Sequence, residues 1–260
     1  MERVTGPFGF WHRKRLVVER ADVVLTGLAP AFDDYRIAFL TDLHYSPVVP
    51  RTFVARAVST ALALEPDLVL LGGDFLSHSG RYAAGLVELL RPLAASDGVF
   101  GVLGNHDHES DPRLISRSLE TRGVTVLRNF NLRVEKRGER FWIAGVDDVL
   151  GGGANLNRAL QGAEGFTVLL AHEPDYADRA AGYPVDLQLS GHSHGGQVWL
   201  PLVGSPYLPP LARKYPRGLR QVGTMMLYTN RGVGTIIVPI RFNCPPEITL
   251  LTLRRGSRPS

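Results

Sequence analysis

The chain has 260 residues, with 29 Lys plus Arg against 25 Asp plus Glu and a formal net charge of +4. At 44% hydrophobic and 21% charged residues its composition is ordinary for a globular protein, which excludes a disordered or fibrous chain, and its length holds one large domain or two small ones. A single cysteine, Cys244, excludes an internal disulfide framework and a Cys-based structural zinc site, so the eight histidines are the feature to explain.

Met1-Glu2-Arg3-Val4 has no basic stretch leading into an apolar core, so no cleaved signal peptide is expected. No segment approaches the roughly 20 apolar residues that span a bilayer. Within residues 1–20, Phe8, Phe10 and Trp11 precede His12, Arg13, Lys14 and Arg15. Aromatic rings beside a basic cluster suit an interface with anionic lipid head groups, and the plainer alternative is a frayed terminus packed on the domain. Elsewhere the bases are scattered and not gathered in runs, which argues against a nucleic-acid partner.

Arg36 to Leu40 reads as a buried strand ending at Thr41-Asp42-Leu43-His44. Pro50 to Leu64 has helical spacing, with Phe53, Val54, Ala57, Val58, Ala61 and Leu62 on one face. Asp67 to Leu71 is a second buried strand, ending at Gly72-Gly73-Asp74. A helix over Tyr82 to Leu90 leads to a strand over Val99 to Leu103, which ends at Gly104-Asn105-His106-Asp107. This alternation predicts βαβ units and a largely parallel inner sheet. Asn131 to Glu135 and Arg140 to Val146 form a predicted hairpin. Phe166 to Leu170 ends at His172 before the helix-opening Pro174, and Asp186 to Leu189 ends at Gly191-His192-Ser193-His194. Gln197 to Leu200, Thr224 to Tyr228 and Glu247 to Leu253 complete a β-rich second half. Between them, residues 201–220 form a loop rich in Pro and Arg.

Polar residues therefore follow the C-terminal ends of five predicted strands, the edge at which open α/β sheets bind ligands. They are Asp42, His44, Asp74, Asn105, His106, His172, His192 and His194, and they include five of the eight histidines. Each motif alone is ordinary turn chemistry; only in combination do they point to a site. A mixed His, Asp and Asn set suits divalent Mn, Fe or Zn. In Asp42-x-His44 and His192-x-His194, residues two apart on an extended chain point to the same side. So many candidate ligands exceed the needs of one ion, whereas two ions sharing a carboxylate would use seven of them. Asp74, after a double glycine that lets backbone approach closely, is the candidate bridge.

These motifs resemble the calcineurin-like metallophosphoesterase superfamily, with its Asp-x-His, Gly-Asp, Gly-Asn-His-Asp/Glu, lone His and Gly-His-x-His. Asn230-Arg231-Gly232-Val233-Gly234 and Pro239-Ile240-Arg241-Phe242 are similar to a bacterial branch of small phosphodiesterases, which is often membrane-associated and includes enzymes resembling UDP-2,3-diacylglucosamine hydrolases. The resemblance implies a single domain over residues 1–260, an α/β four-layer αββα sandwich with mixed sheets, and a metal site at the C-terminal ends of the strands. It implies that Asp42, His44 and His194 hold one divalent ion and Asn105, His172 and His192 a second, with Asp74 bridging and Mn favoured. His106 is implied to stabilise the transition state or protonate the leaving oxygen, with Asp107 orienting its ring.

The expected reaction is hydrolysis of a phosphodiester or pyrophosphate by a hydroxide bridging two ions roughly 3.5–4 Å apart. The expected substrate is a small phosphorylated molecule, lipid-linked in the leading reading. The expected location is cytoplasmic, with peripheral contact on an anionic inner membrane as the lipid-linked variant. Arg213, Lys214, Arg217 and Arg220 are candidates to meet a phosphate from a flap formed by the 201–220 loop, with Tyr207, Leu208 and Leu211 on an acyl group. Asp74 is followed by Phe75-Leu76-Ser77 and Asp107 by His108-Glu109-Ser110, which departs from the Ser/Thr protein phosphatases of the superfamily. His78 and His108 read as exposed loop histidines. The alternatives are a soluble phosphodiesterase for cyclic nucleotides or nucleotide-like diesters, and a silent scaffold, which usually lacks ligands that are all present here.

Overall fold

The computed structural model describes residues 15–77 and 79–256. The aromatic and basic residues Phe8 to Lys14, and His78, lie outside the described residues. In chain order the strands are β1 (Val17–Leu25), β2 (Tyr35–Leu40), β3 (Leu68–Leu71), β4 (Val99–Gly101), β5 (Val124–Val126), β6 (Phe130–Lys136), β7 (Glu139–Gly145), β8 (Thr167–Leu170), β9 (Leu187–Ser190), β10 (Gly218–Val222), β11 (Met225–Thr229) and β12 (Glu247–Arg255). The α-helices are α1 (Arg51–Leu62), α2 (Ala83–Leu90), α3 (Asn105–Ser110), α4 (Pro112–Glu120), α5 (Leu156–Ala159) and α6 (Ala177–Ala180).

The strands form two mixed six-stranded sheets, ordered β1-β12-β2-β3-β4-β5 and β10-β11-β9-β8-β7-β6. β2 to β5 are mutually parallel, while β12 runs antiparallel to β2 and parallel to β1. In the second sheet β7, β8, β9 and β11 are parallel, and β6 and β10 are antiparallel edges.

The period of two in the strands produces the layering. Ile37 and Phe39 of β2, with Leu68 and Leu70 of β3, face the second sheet and meet Ile143, Val168, Leu187 and Leu189. The alternate residues Ala38, Leu40, Val69 and Leu71 face α1 and α2. On the far side Ala144 and Leu169 pack under α5 and α6. Strands buried on both faces read as continuous apolar runs, which is why they are legible in the sequence. Between the sheets, Phe32 and Phe141 meet edge to face with ring centroids 4.8 Å apart, and truncating Phe141 to Ala would cost about 3–5 kcal/mol.

Three elements differ from expectation. Residues 17–20, expected to belong to the N-terminal segment, instead open β1, an edge strand paired in parallel with β12. Gln197 to Leu200 is not a strand: Gln197 has φ +53°, and only isolated bridges join Val198 to Phe242 and Leu200 to Gly204. The long loop is shorter than expected, because β10 begins at Gly218 and pairs with β11.

Candidate metal centre

The predicted ligands come from both sheets. β2 delivers Asp42 and His44, β3 delivers Asp74, and β4 delivers Asn105 at the start of α3. β8 delivers His172, and β9 delivers His192 and His194. The C-terminal ends of these strands meet at one edge of the sandwich and leave two groups of buried ligand atoms. One comprises Asp42, His44 and His194, the other Asp74, His172 and His192, with the ligand atoms of each group within 4.8 Å of one another. Asp74 joins them: its Oδ2 is 3.4 Å from His44 Nε2 and 3.2 Å from His172 Nε2. His194 Nε2 is 3.3 Å from Asp42 Oδ1.

The expectation of extended Asp-x-His and His-x-His pairs is overturned. Asp42, His44, Asp74, His192 and His194 have φ of +52°, +45°, +53°, +63° and +50°. Left-handed backbone costs a non-glycine residue about 1 kcal/mol or more, and it persists only where its surroundings dictate it. Here the turns lock together. His192 N–H donates to both oxygens of Asp42 at 3.1 Å, and His106 N–H donates to Asp74 Oδ1 at 2.9 Å. A Cβ on Gly104 would lie 2.2 Å from Asp74 Oδ1, so the strand-end loops can approach this closely only with glycine there.

Partners behind the rings set the tautomers. His172 Nδ1–H donates to Gly72 O at 2.7 Å, leaving Nε2 free toward the centre, and His192 Nε2–H donates to Pro210 O at 2.9 Å, leaving Nδ1 free. His44 Nδ1 is 2.9 Å from Ser77 Oγ. Burial opposes ionisation of Asp42 and Asp74, yet the histidines outweigh it, His194 for Asp42 and His172 for Asp74, and hold both carboxyls below their ordinary range. His192 is lowered to about 4 by burial and then by His172.

The donor set fits divalent cations. Asn105 Oδ1 and His172 Nε2 are buried atoms without a hydrogen-bond partner, each on a residue of the cluster. Buried polar atoms of this kind call for a ligand, and imidazole nitrogens with carboxylate and amide oxygens suit Mn, Fe or Zn.

The centre forms the floor of a cavity of about 480 Å³. His106 lines it, with its ring centroid 5.1 Å from that of His44 and its Nδ1 3.3 Å from Glu109. Asp107 is held by main-chain donors. Its fully buried carboxylate accepts from the backbone N–H groups of Phe75, Leu76 and Gly104, and so it fastens the Asp74 loop to the Asn105 loop. Burial and then Asp74 push its pKa to about 7, against those donors. His108 is not an exposed loop residue; it lies half-buried on α3 with Nε2 2.8 Å from Asp147.

Arg213, Lys214, Arg217 and Arg220 do not line the cavity. The backbone N–H groups of Arg213, Lys214 and Tyr215 all donate to Asp175, which turns this stretch toward α6. Lys214 Nζ pairs with Asp178 at 2.6 Å, Arg217 stacks 3.6 Å from the Trp199 ring centroid, and Arg220 is exposed on β10. From that loop, Tyr207, Pro209 and Pro210 do line the cavity. The facing wall, Thr235 to Pro239, was not foreseen; its signal was the apolar run Ile236-Ile237-Val238 between two motif segments.

A family profile for calcineurin-like phosphoesterases matches residues 35–196. The chain belongs to the calcineurin-like phosphoesterases. It is 36% identical over 258 residues to the uncharacterized metallophosphoesterase YkuE of Bacillus subtilis, covering 96% of this chain and 90% of that protein. It is 37% identical over 224 residues to the phosphodiesterase YaeI of Escherichia coli, covering 84% and 82%. The NAD nucleotidase of Haemophilus influenzae has a similar fold, with a TM-score of 0.50 at 14% identity over 76% of this chain and 50% of that one. This calcineurin-like phosphoesterase is a metal-dependent phosphohydrolase, and among its described residues no helix is long and apolar enough to cross a membrane.

Proposed function

We propose that the chain hydrolyses a phosphodiester on a lipid-linked substrate, using two divalent ions, with Mn favoured. The observation that carries this reading is Asp74, a buried carboxylate that belongs with His172 and His192 and also reaches His44 of the other group. Asp42, His44 and His194 would hold one ion and Asn105, His172 and His192 the other, with Asp74 placed to serve both. When bound, the ions supply an acidified water for attack on phosphorus and neutralise charge on the phosphoryl oxygens.

The chain's own residues do the rest. Asp74 fixes the His106 backbone, and the His106 ring lines the cavity, where it would face a bound phosphoryl group. Burial lowers its pKa against the pull of Asp74 and Glu109, and in its protonated form the ring would give a proton to the leaving oxygen. The apolar part of the substrate lies against Val48, Leu150, Tyr207, Ile237 and Val238, which line the cavity although their side chains are exposed. Such a rim suits an acyl chain. Beyond it, Leu202 and Val203 are exposed at the tip bridged by Leu200 and Gly204, and Trp199 carries Arg217. These residues form the peripheral contact with an anionic membrane.

The test is hydrolysis with Mn(II) added. Turnover of bis-p-nitrophenyl phosphate well above that of p-nitrophenyl phosphate supports the diesterase reading, and no turnover with Mn, Fe or Zn ends it. Pelleting with phosphatidylglycerol vesicles tests the membrane part. Leu202→Asp with Val203→Asp is expected to abolish pelleting; if the wild-type chain stays in the supernatant, the soluble nucleotide-like diesterase takes its place.

A further inference from the structure

Arg241 is the largest fully buried side chain among the described residues. A buried cation is costly unless a carboxylate pairs with it, yet its hydrogen bonds go to backbone carbonyls. Nη2 donates to Gly234 O at 2.6 Å, Arg231 O at 2.8 Å and Gly232 O at 3.0 Å, Nε donates to Gly234 O at 3.1 Å, and Nη1 donates to His194 O at 3.3 Å and Cys244 O at 3.4 Å. Nη2 also lies 3.4 Å from His194 Nδ1.

The loop whose carbonyls Arg241 gathers presses with its other side on two metal-centre residues. Val233 N–H donates to Thr41 O at 3.0 Å and Gly234 N–H donates to Asp42 O at 2.6 Å. The approach leaves no room for side chains: a Cβ on Gly232 would be 2.6 Å from Asp42 Cβ, and one on Gly234 would be 2.5 Å from Leu43 O and 2.9 Å from His44 Cβ. One guanidinium thus reaches the loop that clamps the Asp42–His44 turn and also the carbonyl of His194. All three of these residues sit on left-handed backbone.

We propose that Arg241 is a positioning residue for the Asp42–His44–His194 half of the metal centre, fastening the Arg231–Gly234 loop to the His194 turn so that the three ligands converge. This rests on the reading of those residues as the ligands of one ion. Its planar fork spreads donors over Nε, Nη1 and Nη2 and so spans carbonyls of both the loop and the His194 turn, a reach that the single nitrogen of a lysine lacks. The other half of the centre has no hydrogen bond to Arg241 and is expected to be insensitive to it.

The experiment is calorimetric titration of Mn(II) into EDTA-treated protein, with folding followed by circular dichroism. Wild type is expected to take two equivalents. Arg241→Ala is expected to bind one equivalent as before and the other about 10- to 100-fold more weakly, with millimolar methylguanidinium restoring the weakened site. Wild-type affinity at both sites overturns the proposal, as does equal weakening at both that methylguanidinium leaves unchanged. If Arg241→Ala does not fold, Arg241→Lys carries the test: selective weakening of one equivalent supports the proposal, and unchanged binding overturns it. A wild type that binds fewer than two equivalents counts against the two-metal reading instead.

Discussion

His172 and His192 are aimed by main-chain carbonyls, Gly72 O and Pro210 O, whereas His44 and Asp42 are aimed by side-chain hydroxyls, Ser77 Oγ at 2.9 Å and Thr41 Oγ1 at 2.8 Å. The two halves of the centre share one carboxylate and similar ligand chemistry, yet substitution can reach them to different degrees. A carbonyl survives a change of side chain, so the His172–His192 half alters only if the backbone moves. The Asp42–His44–His194 half can be loosened through single outer residues.

His106 stands against His44 and the shared Asp74 without belonging to either ligand set, and the largest loss is expected there. His106→Ala should keep both equivalents of Mn(II) and lose about 10²- to 10⁴-fold in diester turnover, read from metal content and kcat on the same sample. Loss of metal would make His106 a structural part of the centre instead. Next in size, Ser77→Ala should weaken one Mn(II) equivalent about 10-fold. Pro210→Ala, which keeps the carbonyl, should change neither. Equal effects of the two substitutions would erase the distinction between side-chain and main-chain support.

The smallest effect lies beside the centre, on the far end of α3. The hydrogen bond that His108 donates to Asp147 raises the pKa of His108 against burial, and Asp147 is held at about 2 by His108 and then Arg128, although burial opposes. The contribution of the pair is complete from about pH 4 to about pH 6.5, fades above that as His108 loses its proton, and fades below it as Asp147 gains one. Asp147→Asn should therefore cost about 1 kcal/mol at pH 6 and less at pH 9, measured by urea unfolding. An equal cost at both values would assign the effect to Arg128 alone.

Much of the inner architecture was legible because β2, β3, β8 and β9 are buried on both faces and end in turn motifs. β1 was missed because Glu19, Arg20 and Asp22 interrupt its apolar residues, as an edge strand allows. α4 carries its own start signal, Asp111 capping Leu114 N–H with Pro112 in the first turn, but it follows α3 so closely that the two merge in the pattern. The basic loop misled because charge in sequence says nothing about direction: Asp175 gathers its backbone, and Trp199 takes Arg217. Arg241 lies in the Pro239-Ile240-Arg241-Phe242 segment, whose sequence shows no role for it. Its partners are carbonyls, which leave no trace in residue identity.

The most direct test of the two-metal account is Asp74→Asn beside wild type, both stripped with EDTA and titrated with Mn(II). Two equivalents in wild type are predicted, and in the variant both should weaken by more than the roughly 100-fold loss of an outer partner. A single equivalent in wild type, or two intact equivalents in Asp74→Asn, would contradict a centre built around one shared carboxylate.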